Sequence, residues 1–164
     1  MIDFELLTAG NEEVFSEAVE EFSPELYRYA VGIVLSGADA EDAVQNAFIS
    51  LWNHRGEIRD PSAVKAYLYR CTYHAGIDII RRKRNFLPIV KHQEEMPLSD
   101  EMYKAMKKLS PLERAIVYER AVMETAYSEL ADRFVLREDS IRKKYERARK
   151  KLAKYLSEKE SEAE

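Results

Sequence analysis

Residues 127–134, Tyr127-Ser128-Glu129-Leu130-Ala131-Asp132-Arg133-Phe134, outline a short helix, Val135-Leu136-Arg137 a turn, and Glu138 onward a long second helix. That is the layout of a helix-turn-helix. On the second helix Ile141, Tyr145, Ala148, Leu152 and Leu156 recur at spacings of 4, 3, 4 and 4, so at about 100° per residue they form one apolar stripe. Lys143, Lys144, Arg147, Lys150, Lys151 and Lys154 fall roughly on the opposite side. Two readings of that side stand: a solvated basic surface, or a face that neutralises phosphates while residues near the helix start reach base edges in a major groove. The short helix and turn in front of it favour the second.

Working outward, the five glycines lie at 10, 32, 37, 56 and 76, so the last 88 residues contain none, and the β-branched alternation of strands is absent throughout. The chain reads as all-α. Hydrophobic residues at 46% and charged residues at 34%, with 5 Gly and 5 Pro among 164 residues, describe a folded, helix-rich chain with enough apolar surface for a core. Helix starts are marked by Ser23-Pro24, by Asp39 with Asp42, by Asp60-Pro61-Ser62, and by Ser110-Pro111 with Glu113 completing an S-x-x-E capping box. The expected helices are 11–21, 24–35, 39–54, 62–84, 100–108, 111–123, 127–134 and 138–156. Residues 85–98 carry two prolines and no helical period. They read as a linker between an N-terminal four-helix unit and a C-terminal unit of about 60 residues. The Glu-rich end from Glu158 reads as a frayed tail.

Net charge is −4, but it is unevenly distributed. Residues 1–54 hold 1 basic and 11 acidic residues, 55–93 hold 9 and 3, and 101–157 hold 15 and 9. An acidic block followed by two basic blocks predicts two kinds of partner surface, the basic ones suited to a polyanion. The helix over 39–54 buries Ala40, Ala43, Val44, Ala47, Phe48 and Leu51 by period and leaves Glu41, Asp42, Gln45, Asn46 and Asn53 to solvent, as a plain hydrated face or as a dock for a basic partner. On the 62–84 helix Val64, Leu68, Cys71, Ala75 and Ile79 read as core. Tyr67, Tyr69 and Tyr73 interleave with Arg70 ahead of the basic end Arg81-Arg82-Lys83-Arg84. Such residues offer π-faces and cations to unstacked bases, or simply pack and favour the helix C-terminus.

Catalysis is poorly supported. Histidines occur only at 54, 74 and 92, no E-x-x-H or H-E-x-x-H appears, the lone Cys71 lies on an apolar stripe, and no glycine spacing suits a phosphate loop. No cofactor, metal or catalytic residue is therefore expected. One cysteine makes no internal disulfide, no stretch approaches the roughly 20 apolar residues of a membrane span, and the start MIDFELLTAGNEEVF lacks the features of a signal peptide. The expected location is the cytoplasm, without membrane insertion.

The ordered pattern Asp39-Ala40-Glu41-Asp42-x-Val44-Gln45-x-x-Phe48-x-x-Leu51-Trp52, Ala66-Tyr67-Leu68-Tyr69-Arg70 with Asp78 and Arg81-Arg82, Leu109-x-Pro111-x-x-Arg114, Glu129-Leu130-Ala131, and Ser140-Ile141-Arg142 through Arg147-Ala148-Arg149-Lys150-Lys151-Leu152 resembles the bacterial sigma factors of the extracytoplasmic-function (ECF) subgroup over about residues 10–157. The resemblance implies a non-enzymatic RNA polymerase subunit built of two helical domains: region 2 over 8–86, a linker over 87–98, region 4 over 99–157 and an acidic tail over 158–164. It implies that Glu41, Asp42, Gln45 and Asn46 dock on the coiled coil of the β′ subunit. The 54–62 loop and the following helix would open the minus-ten element and draw a base into a pocket near the loop, through His54, Arg55, Tyr69, Arg70, Tyr73, His74, Arg81, Arg82 and Arg84. Region 4 would hold the β flap through 111–123 and read the minus-thirty-five element through Arg137, Ser140, Arg142, Lys143, Lys144, Arg147, Lys150 and Lys151. An anti-sigma protein is a further implied partner. The family usually carries Asn where this chain has His74, a turn glycine at Val135, and often Ser at Arg137; valine tolerates a positive φ poorly. The rival reading is a stand-alone helix-turn-helix regulator that binds an operator without docking on polymerase.

Overall fold

A computed structural model describes residues 1–85 and 97–163, and the chain divides into two compact units, Met1–Glu95 and Met96–Glu164. Among the described residues every regular element is helical: α1 Phe4–Ala9, α2 Glu12–Val34, α3 Gly37–His54, a 3-10 turn Arg55–Glu57, α4 Pro61–Asn85, α5 Asp100–Lys107, α6 Pro111–Ala121, α7 Tyr127–Phe134 and α8 Glu138–Ala163. The all-α expectation is met. Of the expected linker, Asn85 is the last residue of α4, Pro97 and Leu98 are described, and the rest lies outside the described residues.

In the first unit α2, α3 and α4 pack on one another. Ala40, Ala43 and Ala47 are fully buried along one side of α3, joined by Val44, Phe48 and Leu51, so the side predicted from the period is the side that packs. Small side chains at that spacing let neighbouring helices approach closely, and the larger ones fill the remaining volume. From α2 come Ala18, Leu26, Tyr29, Ala30 and Ile33, and from α4 Val64 and Leu68. At about 1.5–3 kcal/mol for each large apolar side chain withdrawn from water, this core outweighs any local propensity.

That balance corrects two expectations. The chain does not break at Ser23-Pro24; α2 runs through Pro24 without interruption. An interior proline forfeits a backbone hydrogen bond and costs about 3 kcal/mol, but buried residues lie on both sides of it, Ala18 before and Leu26, Tyr29 and Ala30 after. The expected tail is helical, α8 continuing to Ala163 with Lys159 pairing Glu162 at 2.9 Å one turn on. A short helix, α1, was not expected. It is capped by Asp3, whose carboxylate accepts the Leu6 N–H at 3.1 Å, and closed by Gly10 at φ +89°.

In the second unit Ile116, Leu130 and Ile141 form a buried cluster flanked by Leu112, Tyr127, Ala131, Phe134, Leu136 and Tyr145, and Ala105, Met106, Leu109, Ala115 and Ala148 are buried as well. The Ser110–Glu113 capping box forms as its spacing predicts. An ion pair missed in the sequence locks α6 to α7: Glu119 is fully buried and pairs with the buried Arg133. The turn after α7 is reached by Val135 itself, which adopts the left-handed conformation at φ 54° and ψ 48° with its side chain 88% exposed. A β-branched residue there meets a steric cost of at least roughly 1–2 kcal/mol. The valine therefore keeps the turn geometry that a glycine would provide.

Two stability changes follow. Val135→Gly removes the left-handed strain at the expense of some unfolded-state entropy, for a net gain of about 1 kcal/mol, read as a higher urea midpoint for the second unit. Arg133→Met takes the Arg133 guanidinium away from the buried Glu119 carboxylate and lowers that unit's stability by about 3 kcal/mol; circular dichroism on heating should show an early partial loss of helix, with the first unit's transition unmoved.

Candidate nucleic-acid interface

The outer face of α3 is built by elimination. With the alanine side turned inward, Glu41, Asp42, Gln45 and Asn46 are all exposed, and Ile49 and Asn53 extend the same face. Beside it Phe48, Ile49 and Trp52 of α3 and Phe15 of α2 line an apolar cleft of about 380 Å³, with Phe15 meeting the Trp52 ring edge-on at 5.0 Å. The α3 N-terminus is tied to the end of α4 by an ion pair between Asp39 and Lys83. Lys83 thus has its ammonium engaged although the side chain is exposed, and Arg81, Arg82 and Arg84 are exposed beside it.

At the other end of α3 a cleft of about 390 Å³ opens between the 54–60 loop and the start of α4. His54, Glu57, Ile58, Arg59 and Asp60 line it from the loop, and Ala63, Ala66, Tyr67 and Arg70 from α4. The His54 ring is held by Nδ1 at 2.9 Å from the Ser50 carbonyl. The Tyr67 hydroxyl lies 3.2 Å from the Ser50 hydroxyl, and burial pushes its pKa up. Asp60 caps α4, accepting both the Ser62 hydroxyl and backbone N–H at 2.8 Å; these bonds hold its carboxyl below the usual range. The cleft therefore offers an aromatic wall, a fixed carboxylate and two guanidinium groups, enough to stack on a planar ring and bond to its polar edge.

Arg70, Tyr73, His74, Arg81 and Arg84 lie within about 60° of one another's mean direction on α4, in line with the cleft, whereas Arg82 lies about 120° from Arg70. Arg70 and His74 are exposed and Tyr73 half-buried; the Tyr73 ring meets His74 edge-on at 5.4 Å, and its pKa is pushed up by burial against the opposing charge of Arg81. From Arg70 at the cleft to Arg84 this stripe spans about 21 Å at 1.5 Å per residue.

Two of the predicted DNA-binding residues on this unit do something else. Tyr69 is 2% exposed, packed edge-on against Tyr29 at 4.8 Å and donating to the Glu25 carboxylate at 3.2 Å. Two positions on from Tyr67, it falls about 160° round the helix and into the core. Arg55 is half-buried, its guanidinium 4.1 Å from the Trp52 ring centroid and bonded to the Trp52 carbonyl. Conversely, Tyr67, which the sequence groups with Tyr69 and Tyr73, lines the cleft, and so do Glu57, Arg59 and Asp60, which the expected 54–62 contact loop covers without distinguishing them. Their signals, a loop between Gly56 and Pro61 and a tyrosine in phase with Arg70, were present but uninformative without the loop's course.

On the second unit, α8 buries Ile141 and Ala148 and exposes Arg142, Lys143, Arg147 and Lys150, with Ser140 and Lys144 half-buried on the flank and Arg137 exposed just before the helix. Lys151 is exposed but engaged, 3.2 Å from the Glu113 carboxylate. Arg142 is positioned by stacking: its guanidinium lies 4.3 Å from the Tyr127 ring centroid, and Arg120 lies 4.3 Å from the same ring while bonding the Thr125 carbonyl at 3.0 Å. Among the described residues no cluster of His, Cys, Asp and Glu is arranged to hold a metal ion, and no helix is long and apolar enough to cross a membrane.

Comparison with known proteins agrees with this geometry. The family model of Sigma-70 region 2 matches residues 18–86 and that of Sigma-70 region 4 matches 99–152. The ECF RNA polymerase sigma factor SigM of Mycobacterium tuberculosis strain H37Rv is 31% identical over 124 residues, 74% of this chain and 59% of that protein; its counterpart in strain Erdman is 30% identical over 115 residues, 70% and 55%. The chain thus spans less than two thirds of these relatives' length. In fold it is similar to the sigma factor RpoE crystallised with the anti-sigma factor NepR from Bartonella quintana (TM-score 0.72, 22% identity, 87% of this chain and 96% of that one). It is also similar to CnrH in complex with the cytosolic domain of CnrY (TM-score 0.69, 19% identity, 94% of each). Two matched regions in the right order, together with an acidic exposed helix, a loop-side cleft and a basic helix-turn-helix, place the chain in the ECF sigma-factor family.

Proposed function

We propose that this chain binds core RNA polymerase and directs promoter-specific transcription initiation. The observation that carries the reading is that one rigid helical unit presents both an acidic and amide face on α3, through Glu41, Asp42, Gln45 and Asn46, and a cleft continued by a basic, aromatic stripe on α4. The first suits a basic coiled coil such as that of β′, and the second a single strand. Extruding a base from a duplex costs a few kcal/mol. Stacking in the cleft, worth about 1–3 kcal/mol per base, and cations along the stripe offset that cost and hold the non-template strand of the minus-ten element. Within this reading Arg70, Tyr73, His74, Arg81 and Arg84 follow the strand, His54 borders the captured base, and Arg82 reaches the backbone from the flank.

The second unit reads the minus-thirty-five element as duplex, with α8 in the major groove: Arg137, Ser140, Arg142 and Lys143 near its start face base edges, while Lys144, Arg147 and Lys150 meet phosphates and Lys151 helps fasten α8 to α6. Its α6 side holds the β flap. Bond formation belongs to the polymerase, and this chain supplies position and strand opening from the cytoplasm. By likeness to neighbours found with NepR and CnrY, an anti-sigma protein is a further partner. A stand-alone operator-binding regulator explains α7 and α8 but leaves the acidic face of α3 and the loop cleft without a ligand.

Two substitutions test the two surfaces. Asp42→Arg, on an exposed position, should keep the helical spectrum and abolish stoichiometric retention on bacterial core polymerase; normal competition for core enzyme by the variant would remove α3 as the dock. Arg147→Ala should weaken DNA binding across sequences and lower the slope of log K against log salt by about one, measured by fluorescence anisotropy over a salt series.

A further inference from the structure

α1 lies before the residues that match region 2, and neither the acidic face nor the basic stripe includes it. It nevertheless packs against the 3-10 turn at the entry of the loop that forms the cleft, and shares an apolar hollow with the loop's exit. At the entry to the loop, Gly10 closes α1 at φ +89°, and a Cβ added there would lie 2.8 Å from Arg55 Nη2 and 2.9 Å from Nε. The Arg55 guanidinium is therefore laid against bare glycine backbone on one side and reaches the Trp52 ring, 4.1 Å away, with the Trp52 carbonyl as its acceptor. Its Nε is shut off from solvent. Arg55 begins the 3-10 turn, directly between the cleft residues His54 and Glu57. At the exit, Phe4 and Leu7 of α1 border an apolar hollow of about 190 Å³ with Pro61 and Val64 of α4, immediately after the cleft residues Arg59 and Asp60.

From this arrangement we infer that α1 is a brace for the promoter loop, in which Gly10 and Phe4 are positioning residues that hold the cleft in its base-accepting shape through Arg55 and Pro61. The inference rests on the proposed capture of a base in that cleft. Residues 55–60 have a single 3-10 turn and otherwise irregular backbone, so their own hydrogen bonds do not fix them, and a binding site on a loop is only as well placed as the shell that supports it. A planar, always-charged guanidinium suits this joint because it stacks flat while bonding at its edge. Arg55 thus acts on the promoter through the loop's position.

The test uses the full chain assembled with bacterial core polymerase and promoter DNA carrying 2-aminopurine, scanned along the minus-ten non-template strand, whose fluorescence rises when the base leaves the stack. Gly10→Ala is compared with Arg59→Ala, a cleft-lining control, and the single tryptophan of the chain, Trp52, reports on the Arg55 stack in the free protein. The expected result for Gly10→Ala is a shifted Trp52 emission, unchanged retention on core polymerase, and a loss of about fivefold to tenfold in 2-aminopurine signal at subsaturating holoenzyme. An undiminished signal in Gly10→Ala while Arg59→Ala loses it overturns the brace and leaves the cleft assignment standing; an undiminished signal in both removes the cleft assignment and the brace with it. Should Gly10→Ala lose helix, Phe4→Ala, which leaves Gly10 and Arg55 in place, decides alone: reduced signal with full core retention supports the brace, and full signal overturns it.

Discussion

The close approach of α2 and α4 to the alanine side of α3 is the constraint on which the first unit depends. Ala40, Ala43 and Ala47 are fully buried, and a larger side chain at any of them would separate helices whose contact sets everything outside. Because the inward side is fixed, the outward side is fixed with it, and Glu41, Asp42, Gln45 and Asn46 are held as one polar surface on a rigid support. The same packing brings the end of α3 beside the start of α4, so that His54 and Ser50 meet Tyr67 and the loop between them closes over a cleft. The proposed docking surface and the proposed base pocket are in this sense two outcomes of one packing arrangement.

The second unit rests on different physics. Beside the buried cluster of Ile116, Leu130 and Ile141 it holds a buried Glu119–Arg133 pair. Such a pair adds little net stability over an apolar contact of equal volume, but it permits few alternative registers between α6 and α7. Together with the left-handed Val135 it determines the angle at which α8 leaves the turn. The basic face of α8 inherits its orientation from that angle, and Arg142 is further held by the ring of Tyr127, itself flanked by Arg120.

Periodicity read α3 almost completely, because that helix is amphipathic and packs by one side, and on α8 it found the inward side, where Ile141 and Ala148 are buried and Tyr145, Leu152 and Leu156 half-buried. It read α4 less well. That helix is enclosed on more than one side, so Tyr69 and Thr72 are buried while Cys71, Ala75 and Ile79, assigned to the core, are only half-buried. Local signals also failed where packing overrode them: Ser23-Pro24 has the form of a helix start yet lies inside α2, since the buried residues on either side outweigh one lost hydrogen bond. In the tail, i,i+3 pairing between Lys159 and Glu162 continues α8 past the point where composition suggested fraying.

The sequence by itself determined that the chain is helical, that it has two units, and which residue types face water on α3 and α8, because these depend on spacing along single helices and on capping chemistry within a few residues. Its ordered motifs also carried the family likeness. Only the tertiary structure decided that Tyr69 is core and Tyr67 lines a cleft, that Arg55 is clasped between Gly10 and Trp52, that Glu119 finds Arg133, and that α1 packs against the start of the 55–60 loop. Each of these joins residues far apart in the chain or turns on which of two adjacent helix sides meets a neighbour, and no local period records what the neighbour will be.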